Sequence, residues 1–272
     1  MSATHFICTT CGTEFPESAV PPAACPICTD ERQYVPLAGQ QWTDLAKLRK
    51  SHRNSFLKKE EDLYGIGTVP DFGIGQRALL LRTPAGNVLW DCISLLDEAT
   101  VDIIGGLGGL AAIAISHPHY YTSMVEWSRA FGSVPVYLHA ADRAHVVRPN
   151  PVLHFWEGEQ LPLVGGLTLI RCGGHFAGGT VLHWPTGAGG KGVLLTGDII
   201  QVVPDRNVSF MYSYPNLIPL PARQVRQIVA AVEPFAFDRI YGAWWSRTTI
   251  PADAKAALHR SAERYIRWLD EK

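Results

Sequence analysis

The sequence predicts an α+β fold with a small cysteine-rich unit at its N-terminus. Two Cys-x-x-Cys pairs stand in the first 28 residues, and several short apolar runs end on polar residues. Two segments near the C-terminus have apolar residues at helical spacing. We therefore expect a ribbon over 1–36, a helical linker over 37–63 and a main domain over 64–272.

The composition is that of a globular protein with almost no net charge. Hydrophobic residues make up 47% of the chain and charged residues 18%, and the formal net charge is -1. Such a balance gives no support to a nucleic-acid or membrane partner. The longest apolar runs are far shorter than a membrane span of about 18 residues, and no basic and apolar leader precedes them. We expect a soluble, cytoplasmic protein.

The first cysteines have the spacing of a metal site. Cys8 and Cys11 form one pair, Cys25 and Cys28 form the second, and thirteen residues separate the pairs. Two facing turns of this kind complete a tetrahedron of sulfur around Zn²⁺. A 36-residue segment is too short to fold on its own core, so the ion would supply its folding energy. The pattern resembles the knuckles of zinc ribbons and rubredoxins.

The elements of the predicted main domain follow from turns and apolar runs. The charged stretch from Trp42 to Leu63 predicts a polar helix or linker. Strands are predicted at 77–82 and 87–91 as a hairpin, and at 110–115, 134–139, 167–172 and 193–196. Ser123 and Glu126 predict a capping box for a helix over 127–131. Further helices are predicted over 221–232 and 251–268.

Three of these strands lead into residues of types that can bind metals: His117 and His119, His175, and Asp198. His117 and His119 flank Pro118, and residues at i and i+2 of extended backbone point the same way. His175 follows two glycines, which let the backbone turn sharply and present its ring. Neutral imidazole binds Zn²⁺ or Fe²⁺, and three protein ligands with one open position indicate a catalytic site.

These motifs resemble a known superfamily. SHPHYYTS at 116–123, CGGHFAGG at 172–179 and LLTGD at 194–198 are similar, in order and spacing, to the motifs of metallo-β-lactamase fold hydrolases. The resemblance covers about 64–272 and implies a four-layer αββα sandwich with metal at one edge of its sheets. It further implies that His117, His119 and His175 bind the first metal and that Asp198 reaches the same site. Asp91 resembles a supporting aspartate of the family.

The departures from the family pattern bear on a second metal. Tyr121 and Thr122 stand where the family has an aspartate and a further histidine, and Trp244 and Trp245 stand near its last histidine. We therefore predict one active-site ion, Zn²⁺ or Fe²⁺. Asp198 would complete the coordination or act as a base toward water. The Tyr121 phenol, protonated at neutral pH, would donate a hydrogen bond to a developing oxyanion.

Three functions remain open from the sequence. The first is a hydrolase that activates water against an ester, lactone, thioester or amide. The second is a non-haem iron oxidoreductase of persulfide-dioxygenase type, with His117, His175 and Asp198 as ligands. The third is a non-catalytic protein that binds a protein or RNA partner through the ribbon. Aromatic residues in segments expected near the site suggest an apolar or aromatic small substrate: Phe155, Trp156, Phe210, Tyr212, Tyr214, Trp244 and Trp245.

Overall fold

The structure is a computed structural model that describes residues 3–245 and 249–270. The outer ends of the predicted ribbon and main domain, at 1–2 and 271–272, lie outside the described residues, as does 246–248. The N-terminal sheet has the order β2-β1-β3. The elements of this region are β1 (Thr4–Cys8), β2 (Glu14–Ser18), α1 (Pro26–Thr29), β3 (Trp42–Thr43) and α2 (Leu45–Ser51).

Seven strands form the first large sheet, in the order β10-β9-β8-β7-β6-β5-β4. Its elements are β4 (Arg53–Glu60), β5 (Leu63–Val69), β6 (Arg77–Leu81), β7 (Val88–Trp90), α3 (Glu98–Gly106), β8 (Ala112–Ala114), α4 (Met124–Ala130), β9 (Val136–His139) and β10 (Leu153–Trp156). Strands β4 to β7 pair antiparallel, and β7 to β10 pair parallel. The carboxyl ends of the parallel strands therefore meet at one edge.

Six strands form the second large sheet, in the order β11-β12-β13-β14-β19-β20. Its first strands are β11 (Gln160–Pro162), β12 (Thr168–Arg171), β13 (Thr180–Trp184) and β14 (Val193–Leu195), with the distorted turn α5 (Gly187–Gly190) before β14. Two small hairpins follow, β15 (Gln201–Val202) with β16 (Val208–Ser209), and β17 (Met211–Ser213) with β18 (Ile218–Pro219). The chain ends with α6 (Ala222–Val232), β19 (Arg239–Tyr241), β20 (Thr249–Ile250) and α7 (Ala254–Asp270).

The sheets pack face to face, and each carries helices on its outer side. Leu79 and Leu81 of β6 lie in the core between the sheets, whereas Ala78 and Leu80 lie in the core under α3 and α4. This alternation follows from the two-residue period of a strand, and a strand buried on both faces is apolar throughout. A third core joins the second sheet to α6 and α7. The predicted four-layer αββα sandwich is confirmed.

Two local predictions are wrong. The stretch predicted as a helical linker is helical only over Leu45–Ser51, and β4 follows as the edge strand of the first sheet. The many charged residues of this segment suggested a solvent-exposed helix. They are also typical of an edge strand, which exposes one face to solvent. Ser123 precedes α4 but makes no capping bond, and Glu126 instead accepts from Arg148.

No helix in the described part of the chain is long and apolar enough to cross a membrane.

The ribbon is fixed to the main domain by a buried ionic cluster. Arg148 donates to Glu14 of β2 and, at 2.6 Å, to Glu126 of α4, and its Nη2 also lies 3.1 Å from His5 Nε2. Burial alone raises the pKa of Glu14, and the Arg148 charge beside it lowers this pKa and so favours the carboxylate. Gly12 and Cys11 add carbonyls that accept from side chains of the main domain. The ribbon is thus packed against the larger unit, although the predicted domain boundaries stay a prediction.

Arg148→Met should destabilise the protein by about 3–5 kcal/mol, because it leaves the buried Glu14 carboxyl without its partner. Thermal and urea unfolding would measure the loss. Arg129→Met is the matched control, since Arg129 pairs with the same Glu126 while its side chain is 50% exposed. Its loss should stay below about 1 kcal/mol. Equal small losses in both variants would contradict the role given to Arg148.

Candidate metal centre

His117 and His119 follow β8 at the edge where the parallel strands end. The Ser116 amide donates to Asp91 Oδ1 at 2.8 Å, which ties the end of β8 to the end of β7. His117 is extended, but Pro118–Tyr120 forms one turn of 3₁₀ helix, so the expected extended alternation is wrong. Proline suits the first position of such a turn. The turn still brings the two imidazoles together, with ring centroids 5.1 Å apart.

His175 reaches the same place from the second sheet, after β12. Gly173 and Gly174 have φ of 69° and 83°, a backbone region that favours glycine. A Cβ at Gly174 would lie 2.8 Å from Ile228 Cδ1, so the close approach also requires glycine. The Nδ1–H of His175 donates to the Met211 carbonyl at 3.2 Å. This bond fixes the tautomer and leaves Nε2 with a free lone pair.

Asp198 arrives from the end of β14. Gly197 precedes it with φ 52°, and a Cβ there would lie 2.7 Å from Ser116 Oγ. This close contact between strand ends places Asp198 Oδ1 3.1 Å from His117 Nε2 and 4.0 Å from His175 Nε2. The carboxylate therefore lies with the imidazoles and not at the surface.

The four side chains have the spacing of ligands around one ion. Each offers a ligand atom within 4.8 Å of the others, and all four residues are buried. His119 Nδ1 lies 3.2 Å from His175 Nε2. Tetrahedral bonds of about 2.0–2.1 Å would separate neighbouring ligand atoms by about 3.3 Å. His117 Nε2 and Asp198 Oδ1 are buried without a hydrogen-bond partner, which a cation would supply.

Burial sets the protonation states of this group. It lowers the pKa of His117 and His119 well below the usual value, and that of His175 to about 4. The imidazoles are therefore neutral at pH 7, as ligands must be. Burial, with Asp91 nearby, raises the pKa of Asp198 to about 8. A cation between these residues would restore the carboxylate, so metal uptake should release a proton.

The four ribbon cysteines form a second group that could hold a metal. Cys8 and Cys28 have their sulfurs 3.6 Å apart, as do Cys11 and Cys25. Zn–S bonds of about 2.3 Å in a tetrahedron require about 3.8 Å. All four are buried free thiols, and Gln40 Nε2 donates to Cys8 Sγ at 3.0 Å. The spacing and the sulfur donors fit a structural zinc ion.

A cavity of about 180 Å³ opens beside the histidines. Tyr214 and Trp244, two of the predicted aromatic residues, line it together with His119, His175 and Asp198. The other predicted aromatic residues lie elsewhere: Trp156 and Phe210 in the cores, Phe155 under Arg143, Tyr212 beside the ribbon, and Trp245 against β5. The cavity is smaller than the 300–1,000 Å³ or so of drug-sized ligand pockets.

Tyr121 does not line this cavity. Its ring is 3% exposed and packs in the core under α3 and α4. Burial raises the pKa of its phenol well above the usual value. The neighbouring Tyr120 lies closer to the metal group, with its ring 5.3 Å from that of His117 and its hydroxyl donating to the Ala243 carbonyl. The oxyanion role predicted for Tyr121 has no geometric support.

Sequence reasoning missed one wall of the cavity. Arg32, Gln33 and Tyr34, which follow the last ribbon cysteine, line it opposite residues of the main domain. No local pattern marks them, since their role depends on how the ribbon docks. Across 3–245 and 249–270, the groups able to hold a metal are the cysteine group and the His117, His119, His175 and Asp198 group. Trp244, near the family's last histidine position, lines the cavity instead.

Comparison of the whole sequence shows extensive similarity to a bacterial protein. YmaE of Bacillus subtilis (strain 168), an uncharacterized protein, is 52% identical over 271 residues, which cover 98% of each chain. This chain belongs to the YmaE family. The alignment spans both the N-terminal cysteine-rich region and the main domain of this chain. No protein-family model matches the chain.

Comparison of the fold gives metallo-β-lactamases. The enzyme TMB-1 aligns with a TM-score of 0.58 at 16% identity, over 78% of this chain and 97% of its own. DIM-1 aligns with a TM-score of 0.57 at 16% identity and with the same coverage. The enzyme from Pontibacter korlensis aligns with a TM-score of 0.53 at 15% identity, over 78% of this chain and 98% of its own. The YmaE-family chain therefore has the metallo-β-lactamase fold, as the motifs predicted. Identity at this level establishes the fold and leaves the substrate open.

Proposed function

We propose that this chain is a metal-dependent hydrolase of small acyl compounds. Its single active-site ion, zinc or iron, would be held by His117, His119, His175 and Asp198. The observation that carries the proposal is the convergence of three neutral imidazoles and a carboxylate at the wall of a cavity. The metallo-β-lactamase fold supports it as the fold of metal-dependent hydrolases. An ester, lactone, thioester or amide is the substrate class.

The chemistry divides between the ion and the protein. A bound ion would act as a Lewis acid that acidifies water and polarises a carbonyl oxygen. Hydrolysis breaks the acyl C–O, C–S or C–N bond, puts the water hydroxyl on the acyl carbon and its proton on the leaving group. Asp198 lines the cavity and would carry that proton from the water to the leaving group. Tyr214 donates to the backbone carbonyl of Asp198 at 2.6 Å and so holds the main chain of this residue.

A single ion is part of the proposal. Tyr121 and Thr122, which replace two ligands of the family pattern, are both buried, and Tyr121 packs in a hydrophobic core. Trp244 cannot coordinate a metal. The cavity of about 180 Å³ favours a compact acyl group over a large bicyclic one. Its walls at Tyr214 and Trp244 suit an apolar or aromatic part of the substrate.

Two rival functions make different use of the same residues. An iron oxidoreductase would use His117, His175 and Asp198 and leave His119 outside the ligand set, although His119 Nδ1 lies 3.2 Å from His175 Nε2. A ribbon that only binds partners would need a free face. The described ribbon instead contributes Arg32 and Gln33 to the cavity and contacts the main domain through a buried cluster.

The purified protein should hydrolyse at least one of a panel of small esters, lactones, thioesters and amides without consuming oxygen. Product release and an oxygen electrode, run on zinc- and iron-loaded samples, would measure both activities. Oxygen uptake with a thiol or persulfide and no acyl hydrolysis would establish the oxidoreductase instead. No reaction in either assay, with capture of a protein or RNA by the full chain, would favour the binding function.

A further inference from the structure

Arg32 holds an unusual position beside the metal group. It belongs to the ribbon, yet it lines the cavity with His119 and His175. Its guanidinium carbon lies 4.3 Å from the ring centroid of Phe176 and 4.8 Å from that of Tyr212. The Phe176 ring in turn lies 5.0 Å from the rings of His119 and His175. A fixed cation therefore lies next to the residues that would hold the metal ion.

One edge of this guanidinium is unused. Arg32 Nη1 donates to Asp30 Oδ2 at 2.8 Å, whereas Nε is buried without a partner. Among the described residues, the hydrogen bond that the Arg32 side chain donates is that of Nη1 to Asp30. The Nε and Nη2 hydrogens of an arginine form a fork that matches the two oxygens of a carboxylate. An unpaired buried donor is costly, so a ligand that accepts from it is favoured.

A second unpartnered group lies on the same wall. Gln33 is 5% exposed, lines the cavity, and its Oε1 is buried without a hydrogen-bond partner. A buried amide oxygen normally accepts a hydrogen bond from another protein group, an ordered water or a ligand. Two adjacent ribbon residues thus offer unused polar atoms to one small cavity.

The ribbon segment that carries these residues is held in place. Ser213 Oγ donates to the Arg32 carbonyl at 3.1 Å, and Asn216 Nδ2 donates to the carbonyls of Glu31 and Gln33. Tyr212 donates to Glu31 Oε1 at 2.5 Å. The same loop begins at Met211, whose carbonyl accepts from His175. The guanidinium is therefore preorganised relative to the metal group, which reduces the entropy cost of binding.

The charge of Arg32 is unfavourable for metal binding alone. A cation near a metal group repels the ion, and Asp30, 2.8 Å from Arg32 Nη1, offsets part of this charge. An anion bound between the ion and the guanidinium would be attracted by both. The arrangement is therefore useful when the ligand is negatively charged.

We propose that Arg32 is a specificity residue that binds a carboxylate of the substrate, so that the ribbon selects small anionic acyl compounds. This rests on the proposed hydrolase function and names its substrate class. The ribbon then serves as one wall of the active site, in addition to any role in stability. Gln33 Oε1, an acceptor, would take a hydrogen bond from a donor elsewhere on the substrate and not from its carboxylate.

The test is a comparison of dicarboxylic acids with their monoamides. Malonate, succinate, glutarate and adipate, each against its monoamide, are titrated calorimetrically into the metal-loaded full chain. One carboxylate of every compound can reach the ion, so the ratio within a pair reports the second carboxylate. At least one diacid should bind about 10- to 100-fold tighter than its monoamide, the usual gain from charge-assisted hydrogen bonds. Arg32→Gln should reduce that ratio to about 1.

Two further variants control the result. Arg32→Lys keeps the charge without the planar fork and should retain part of the preference. Arg143 also stacks on an aromatic ring, 3.7 Å from the Phe155 centroid, but it lines a different cavity. Arg143→Gln should therefore change neither the dissociation constant of the diacid nor that of its monoamide. Equal ratios in wild type and Arg32→Gln would overturn the proposal. If the wild type prefers diacids, Arg32→Gln loses that preference and no acyl compound is hydrolysed, the anion site stands and the hydrolase function is wrong. If an acyl compound is hydrolysed but diacids are not preferred, only the anion site is wrong.

Discussion

His119→Ala should lower kcat/KM by about 1,000-fold or more and reduce the metal content from two ions per chain to one. The loss follows from the ligand group: His119 Nδ1 lies 3.2 Å from His175 Nε2, and its removal leaves the carboxylate and two imidazoles around a gap. Loss of the Lewis acid removes several kcal/mol of transition-state stabilisation, at about 1.4 kcal/mol per tenfold in rate. Steady-state kinetics and elemental analysis on the same sample would measure both changes.

His154→Ala is the control for this variant. His154 lies on the exposed face of β10 and is not in the ligand group, so its removal should change neither metal content nor rate. Unchanged turnover in His119→Ala, with the second ion lost, would contradict a catalytic role for the ion. Retention of both ions would contradict the ligand assignment itself.

Cys25→Ser should release the ribbon ion and expose residues 3–43 to proteolysis while the active-site ion stays bound. The ribbon core consists chiefly of the four cysteines, Phe15 and Ile27, so little apolar burial remains once the ion leaves. Structural zinc sites supply about 10–16 kcal/mol of folding free energy to such units. Limited proteolysis with mass spectrometry, beside elemental analysis, would record the change.

The same variant tests the contribution of the ribbon to the cavity. Arg32, Gln33 and Tyr34 line it, so an unfolded ribbon removes one wall and kcat/KM should fall by about 10-fold or more. Cys172→Ala is the control, because Cys172 is a buried thiol of the second-sheet core outside the cysteine group. It should keep both ions and an intact ribbon. Full activity from Cys25→Ser with a cleaved ribbon would show that the ribbon is not part of the site.

The main-domain fold was predictable where the sequence is locally consistent. The apolar strands and the two C-terminal helices were found because their periodicity and flanking turns agree with their tertiary environment. The segment 53–60 was mistaken for a helix because charge on an edge strand hides its alternation. Ser123 makes no capping bond, and Glu126, the other half of the predicted capping box, instead accepts from Arg148, a partner 22 residues away that no local pattern reveals.

The candidate metal group was predictable because strand ends concentrate polar residues at a sheet edge. His117, His119, His175 and Asp198 each follow a strand and meet where the two sheets approach. The position of Tyr121 could not be predicted in the same way, since it follows the 3₁₀ turn at Pro118–Tyr120 and packs in the core. Arg32 and Gln33 could not be predicted, because their function depends on docking between units far apart in sequence.

The most direct test of the account is a crystal structure with anomalous scattering data at the absorption edge of the bound metal. We predict two anomalous peaks per chain, one among the sulfurs of Cys8, Cys11, Cys25 and Cys28 and one among His117, His119, His175 and Asp198, the second with a coordination position facing the cavity. A third peak, no peak at the histidines, or a coordination sphere closed by protein atoms would contradict the account.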